Sequence, residues 1–380
     1  MKAAKEMASA LTHPDGYGKG FFIRLLQRAE IAAFLYCIVS AFVFAIWIWG
    51  ADTPGTSLNG DPRSTLSGLI QGTANRPFVY RALIPAITRT IATVIPMQLR
   101  SEFIAVATSS AKFQKESKRL GWEIEYLPEY CIALALVYSA LLAFPFVLRS
   151  LFVSLYETEK YITNVVPIAA LLGLPLFFHV GTHYLYDFPA LTLFALAILF
   201  LVKRRWLLFY FVYGLGCINK ETMVFASVAF ALLYAKLLPV RWNSIHLFLQ
   251  VLIFAVVKGF LTYCYGANAG GMAEFNLYGN IHQLLLPYTL EQFFFTLVVA
   301  ALVFYDFDRK HPVLQKAAWL LLPFSVLMLF FGRIAEFRVL YEVYPIYALL
   351  LSHTVFFSCL KAPYMLRVSQ ESTESSKTPC

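Results

Sequence analysis

Lys220 and Glu221 are adjacent ionisable residues set between two apolar runs, Trp206–Ile218 and Met223–Leu238. The first run, about 13 residues, would rise roughly 20 Å as a helix, against about 30 Å of bilayer hydrocarbon. Lys203, Arg204 and Arg205 must stay at the membrane face where that run begins, with their stems free to snorkel. Lys220 and Glu221 are therefore expected below the opposite surface, inside protein. Ionisable residues at such depth are costly and mark a functional site by default. The plainer reading is a Lys–Glu pair that only staples a helical hairpin.

Four further stretches carry a similar mixture. The first holds Asp52, Asp61 and the run Asn75-Arg76-Pro77-Phe78-Val79-Tyr80-Arg81. The second runs from His179 through His183 to Asp187. The third adds Glu274 and His282, with Lys258 about two helical turns away in its own apolar run. The last holds Arg333, Glu336 and Arg338, followed by Tyr341, Glu342 and Tyr344. Carboxylates can deprotonate a hydroxyl acceptor. Arginine and lysine can hold a phosphate or pyrophosphate that departs with negative charge, and a water-poor pocket strengthens both effects. Each piece also has a plainer use. His179 and His183, four apart, could share a metal if helical, but no third ligand is evident, and hydrogen bonding at the headgroups serves as well. Arg338 and Glu342 have the spacing of a helix-end ion pair. Tyr341, Tyr344 and Tyr347 fit an aromatic belt. Asp61 fits a turn. Only their collection on one side, from five separate loops, asks for more.

The elements that must position these residues follow from composition. Hydrophobic residues make up 59% and charged residues 14% of the 380, and the mean hydropathy is +0.65; a soluble domain has about 25% charged residues. The sequence reads as an all-α polytopic membrane protein. No strand-like alternation over about ten residues points to a barrel. The six cysteines are scattered and show no paired spacing. The expected spans are Ile31–Gly50, Tyr130–Leu148, Ile162–Phe178, Phe188–Val202, Trp206–Ile218, Met223–Leu238, Ile245–Cys264, Leu290–Tyr305, Trp319–Phe331 and Val339–Cys359, about ten in all. Thr289-Leu-Glu-Gln292 reads as a capping box before one of them.

Charge sets the orientation. Arg149 and Lys160, Lys203–Arg205, Lys236 and Arg241, Arg309 to Lys316, and Lys361 with Arg367 all fall in loops on one side, together with the basic N-terminal segment. That pattern places both termini in the cytoplasm. The net charge of +9 then calls for no nucleic acid. The division is a cytoplasmic segment 1–30, a membrane domain 31–360 with a first outer loop 51–128, and a disordered cytoplasmic tail 361–380. Inside that loop Ala82–Leu99 has helical apolar spacing, and placing it flat on the outer interface keeps the basic loops together. Its Thr88–Arg89 face is expected toward water or headgroups, and Ile87 and Ile91 toward lipid.

Arg76-Pro77-Phe78-Val79-Tyr80-Arg81-Ala82-Leu83-Ile84-Pro85, Tyr186-Asp187-Phe188-Pro189-Ala190-Leu191, Asn219-Lys220-Glu221-Thr222 and Glu336-Phe337-Arg338-Val339-Leu340 resemble a group of bacterial membrane proteins placed with the GT-C glycosyltransferases. An Asp-bearing loop after the first span and flat helices within it strengthen the resemblance. It covers most of the membrane region and excludes 1–30 and the tail. It implies a GT-C-like fold in the bacterial inner membrane, a polyprenyl-phosphate sugar donor, and transfer on the non-cytoplasmic face. It also implies a first-loop Asp as base, at Asp61 or Asp52. The paired Asp-Glu motif of some such families is absent, so no cofactor is assigned and a divalent metal stays open.

The expected catalytic carboxylates are therefore Asp61, Asp52 and Asp187. Arg76, Arg81, His183, Lys220, Glu221, Glu336 and Arg338 are expected to bind substrate, and no residue is assigned to a metal. The acceptor is a glycan, lipid or protein. A transporter or lipid flippase is the alternative; it would place its ions nearer the midplane and show a structural repeat, which the sequence lacks. A membrane scaffold, the third class, has no need of a sunken Lys220-Glu221.

Overall fold

The computed structural model describes residues 23–49, 58–59, 61–178, 183–285, 290–334 and 336–367. Apolar composition makes nearly all of it helical, since helices satisfy their own backbone groups without water. The helices are α1 (Ala29–Trp49), α2 (Leu66–Gln71), α3 (Leu83–Val94), α4 (Met97–Ser109), α5 (Ala111–Arg119), α6 (Leu127–Leu155), α7 (Lys160–Gly173), α8 (Asp187–Val202), α9 (Trp206–Asn219) and α10 (Phe225–Tyr234). There follow α11 (Val240–Tyr265), α12 (Leu277–Leu285), α13 (Leu290–Phe304), α14 (Pro312–Ala318), α15 (Leu321–Phe331) and α16 (Tyr344–His353). Among the described residues four stretches are long and apolar enough to cross a membrane: Ala29–Trp49, Ile124–Leu155, Val240–Tyr265 and Pro312–Phe331. Shorter apolar helices complete the bundle.

Each of the ten apolar runs contains helix, but four are broken; Ile162–Phe178 is interrupted at Leu174, between α7 and a short helix at Pro175–Phe178. The run from Met223 is entered through a 3₁₀ turn, Glu221–Val224, before α10. The run from Val339 is entered through another, Phe337–Leu340, and α16 then widens into a π-helical turn at Thr354–Cys359. Around Trp319 the chain steps from α14 to α15. Thr289 lies outside the described residues.

Burial follows helix composition. α8 is apolar all round and packs along α6 and α9, with Phe188, Leu191, Phe194, Ala195 and Ile198 fully buried; such a helix belongs inside. α11 is less apolar, with Arg241, His246 and Lys258 along it, and buries only Gln250 and Leu261. Phe248, Val256 and Phe260 on α11 stand exposed, as do Phe34 and Phe42 on α1 and Leu207 and Phe211 on α9. Apolar surface on that scale is tolerated against lipid, not water.

The two ends of the bundle differ in chemistry. At one end β1 (Tyr156–Thr158) pairs antiparallel with β2 (Tyr364–Leu366). The Tyr156 hydroxyl accepts from the His311 backbone N–H at 3.2 Å and meets His353 Nδ1 at 3.1 Å. Lys310 Nζ donates to Leu350 O at 2.7 Å, taking up a carbonyl next to the π turn. Lys203 Nζ reaches Ser150 Oγ, and Arg149 Nε reaches Asn164, whose amide binds Leu26 O. This end thus gathers the basic loops. Strand β2 also means that the tail expected from 361 starts in ordered structure; 368–380 lie outside the described residues.

The opposite end carries the first polar stretch. α3 has 12 residues, about 18 Å of helix, which is too short to span about 30 Å. Ile87 and Ile91 face outward. The other face corrects an expectation. Thr88 is fully buried, and Arg89 turns inward to donate to Ile70 O at 2.8 Å and to the Tyr265 hydroxyl at 3.0 Å. Protein takes up the Arg89 guanidinium, while the buried Thr88 hydroxyl has no hydrogen-bond partner among the described residues.

Candidate functional site

The break at 219–222 is where the outer loops meet. α9 stops because Lys220 is extended, at φ −162° and ψ 139°. The chain turns back closely enough that a Cβ on Gly216 would stand 2.6 Å from Met223 Sδ, so a larger residue there would require the Met223 side chain to move. Ile218 O, freed at the helix end, accepts from Ala82 N–H at 3.0 Å. Asn219 Nδ2 donates to Tyr186 O at 3.0 Å. One helix end thereby holds the backbone of the first and second polar loops, the first through Ile218 O and the second through the Asn219 amide.

The two adjacent charges then diverge. Lys220 Nζ lies 2.8 Å from Glu342 Oε1, with both side chains buried, and Thr222 Oγ1 donates to the same oxygen. Glu221 instead has Lys258 Nζ at 3.3 Å on one oxygen and Arg81 Nε at 3.4 Å on the other. The two do not staple the hairpin to itself; each is paired with a distant element. Arg338 is likewise not the partner of Glu342. Its guanidinium bonds Glu336 and reaches Asp187 Oδ1 at 3.5 Å. Asp187 is the first residue of α8, where a carboxylate meets the positive end of the helix dipole, and it also accepts from Tyr184 N–H at 3.1 Å.

These groups border a cavity of about 390 Å³, within the usual size of a ligand site. Its polar wall includes Arg81, Lys220, Glu221, Lys258, Glu336 and Arg338. Phe254 of α11 and Leu327, Met328 and Phe331 of α15 form an apolar wall. Aromatic rings back the cations. The rings of Tyr184 and Tyr186 stack at 5.0 Å. Arg81 lies 4.3 Å from the Tyr186 centroid and Arg338 4.4 Å from that of Tyr184, distances at which a cation is drawn to a ring face. Burial pushes the Tyr184 phenol above its ordinary pKa, so it stays a neutral hydroxyl.

The remaining cavity wall belongs to the Gly/Asn-rich stretch after α11, which supplies Met272, Ala273 and Glu274. Arg76 N–H donates to Ala269 O at 2.8 Å, and Asn268 Nδ2 donates to Gly72 O and Ala74 O. Gly270 has φ +95°, and a Cβ there would meet Arg76 O at 2.4 Å. On the far side Asn276 N–H donates to Phe330 O, and the Asn280 amide bonds three carbonyls at the end of α15.

Of the residues expected to bind substrate, Arg81, Lys220, Glu221, Glu336 and Arg338 line the cavity. The other expectations are displaced. Arg76 contributes its backbone to the seam with Ala269 and Gly270, and its side chain does not line the cavity. His183 is buried with its ring stacked on Trp47 of α1 at 5.4 Å, also away from the lining. Asp187 sits behind Arg338. Asp61 bonds Arg63, whose guanidinium reaches on to Glu274 at the cavity; those bonds hold the Asp61 carboxyl below its ordinary pKa. Asp52 and His179 lie outside the described residues. Tyr184 and Tyr186 were not singled out, and Lys258 and Glu274 were noted without an assigned role, although Lys258 is an ionisable residue within an apolar run, the signal that singled out Lys220; all four line the cavity. Among the described residues no group of three His, Cys, Asp or Glu side chains is placed to hold a metal ion.

No family model matches the chain, and neither a curated protein nor a solved structure matches it.

Proposed function

We propose that the protein is a membrane glycosyltransferase of GT-C type, multi-pass with both termini cytoplasmic, that moves a sugar from a polyprenyl-phosphate donor to an acceptor on the non-cytoplasmic face. The observation that carries this is the divided cavity: cations, carboxylates and stacked tyrosines on one wall, bare α11 and α15 side chains on the other. The polar wall suits a phosphate and a sugar, and the apolar wall suits the first units of a lipid tail. The acceptor oxygen would attack the anomeric carbon as the carbon–phosphate oxygen bond breaks. The phosphate leaves with the electron pair, and a carboxylate takes the acceptor proton. Asp61 and Asp187 stand behind Arg63 and Arg338 and do not line the cavity, so the base would come from the carboxylates that do, Glu221, Glu274 and Glu336.

The test is transfer of labelled sugar from polyprenyl phosphate by the purified protein in vesicles, with a panel of sugars. Lys258→Met removes a cation facing the leaving group and should lower transfer by about 10²–10³ with inserted protein unchanged. Movement of the intact lipid-linked sugar across the vesicle with no transfer would favour the flippase instead.

A further inference from the structure

The cavity cations are not equally committed. Lys220 is held at 2.8 Å by Glu342, with side chains 8% and 2% exposed, and Glu342 takes a further bond from Thr222. Arg338 has two carboxylates, Asp187 and Glu336, and is 9% exposed. Arg81 and Lys258 differ from both. They share the single carboxylate of Glu221 at 3.4 and 3.3 Å, longer than the about 2.7–2.9 Å of a well-made charge-assisted bond. All three side chains are partly open to the cavity, at 18%, 25% and 30%.

Aromatic rings hold the two cations in place without help from Glu221. Arg81 rests on Tyr186 and also bonds its hydroxyl. Lys258 Nζ lies 4.3 Å from the centroid of Tyr80. The trio carries one net positive charge, with two donors aimed at one loosely bonded anion. A phosphate offers more charge and more acceptor oxygens than a carboxylate, and one phosphate can satisfy both cations.

We infer that Arg81 and Lys258 form the seat for the phosphate of a phosphomonoester or phosphodiester ligand, and that Glu221 competes with that phosphate for the two cations. This rests on the proposed glycosyltransferase reading only for the sugar the phosphate carries. Glu221 is then neither a sugar contact nor a support for Lys220. It is a built-in rival anion, which keeps the two cations neutralised on the cavity wall and yields them to the ligand.

The rival role has an unusual sign. Binding of farnesyl phosphate and of inorganic phosphate is measured by calorimetry on the purified full-length protein in detergent, with no sugar present. Glu221→Gln should tighten farnesyl phosphate binding by roughly 2- to 5-fold, the effect of losing one half-screened competing charge. Lys258→Met should weaken it by about tenfold or more. Farnesol, without the phosphate, should respond to neither change. Inorganic phosphate that tightens in the same way shows a seat that reads phosphate alone; if only farnesyl phosphate does so, the seat reads a lipid headgroup. Unchanged or weaker farnesyl phosphate binding by Glu221→Gln, at an unaltered unfolding midpoint, overturns the inference. Should that variant not be recovered, Glu221→Asp carries the test, because a shorter carboxylate competes less well. Tightened binding without any sugar transfer would keep the seat and sink the glycosyltransferase, and transfer with unaltered binding would do the reverse.

Discussion

At the residue scale the site is governed by which carboxylate neutralises which cation. Lys220 and Glu342 form a buried pair, and removing one partner of such a pair leaves an uncompensated charge at a cost of about 3–5 kcal/mol. Lys220→Met alone should therefore lower the unfolding midpoint sharply. Lys220→Met with Glu342→Leu should recover most of it, because a buried ion pair can be exchanged for apolar groups with little loss. A single variant as stable as the wild type would show that the pair is not buried in the membrane-embedded protein. Asp61 gives a second prediction. The Arg63 hydrogen bond lowers its pKa, so its folded value is below its unfolded one. The stability it contributes is present above the ordinary carboxylate range and is lost as pH falls through that range toward the folded value. Between about pH 6 and about pH 3, the wild type should lose more thermal stability than Asp61→Asn, which keeps the turn but cannot titrate; equal losses would remove Asp61 from the account. The sequence singled out Lys220 and Glu221 but not whom they meet. Their partners are distant in the chain, and the i, i+4 spacing that pointed to Arg338–Glu342 fails because 337–340 is a 3₁₀ turn.

At the element scale, helices were legible and their interruptions were not. Ten apolar runs announce helices because a lipid-exposed backbone has few other choices. The 3₁₀ turns at 221–224 and 337–340 depend on what packs beside them, and no local composition marks them. For α3, amphipathicity was legible but misassigned. Its polar face was expected outward, yet Arg89 meets Ile70 and Tyr265, groups brought there by α2 and α11. The stretch after α11 shows how a loop without periodicity becomes a wall, because glycine at 270 lets the backbone close on Arg76. Gly270→Ala would force a side chain into a positive φ and into that carbonyl, costing more than about 1 kcal/mol. Hydrogen exchange should rise at Arg76, whose N–H bonds Ala269, and substrate binding should weaken, while α6 and α8 stay protected. Unaltered protection at Arg76 would mean that the seam does not depend on that glycine.

The whole molecule is a bundle with two unlike ends. One gathers Ser150, Tyr156, Lys203, Lys310, His311 and Arg367, and the other gathers Arg63, Arg81, Lys220, Glu274 and Arg338 around the cavity. That separation is what the loop charges predicted, and it depends on long-range geometry that the charge rule does not use. The proposed orientation comes from that rule alone, by which the end with the basic short loops would face the cytoplasm. A polyprenyl-phosphate donor presented on the outer leaflet can reach the cavity only in that orientation, so the proposed chemistry and the topology stand together. Ala273 is exposed at the cavity end and Arg205 is exposed beside Lys203 at the other. In a background where all six cysteines are replaced, Ala273→Cys should react with a membrane-impermeant maleimide added to intact cells. Arg205→Cys should react only after the membrane is opened. Labelling in the reverse order would turn the cavity toward the cytoplasm and would end the case for transfer on the non-cytoplasmic face even if sugar transfer itself survived.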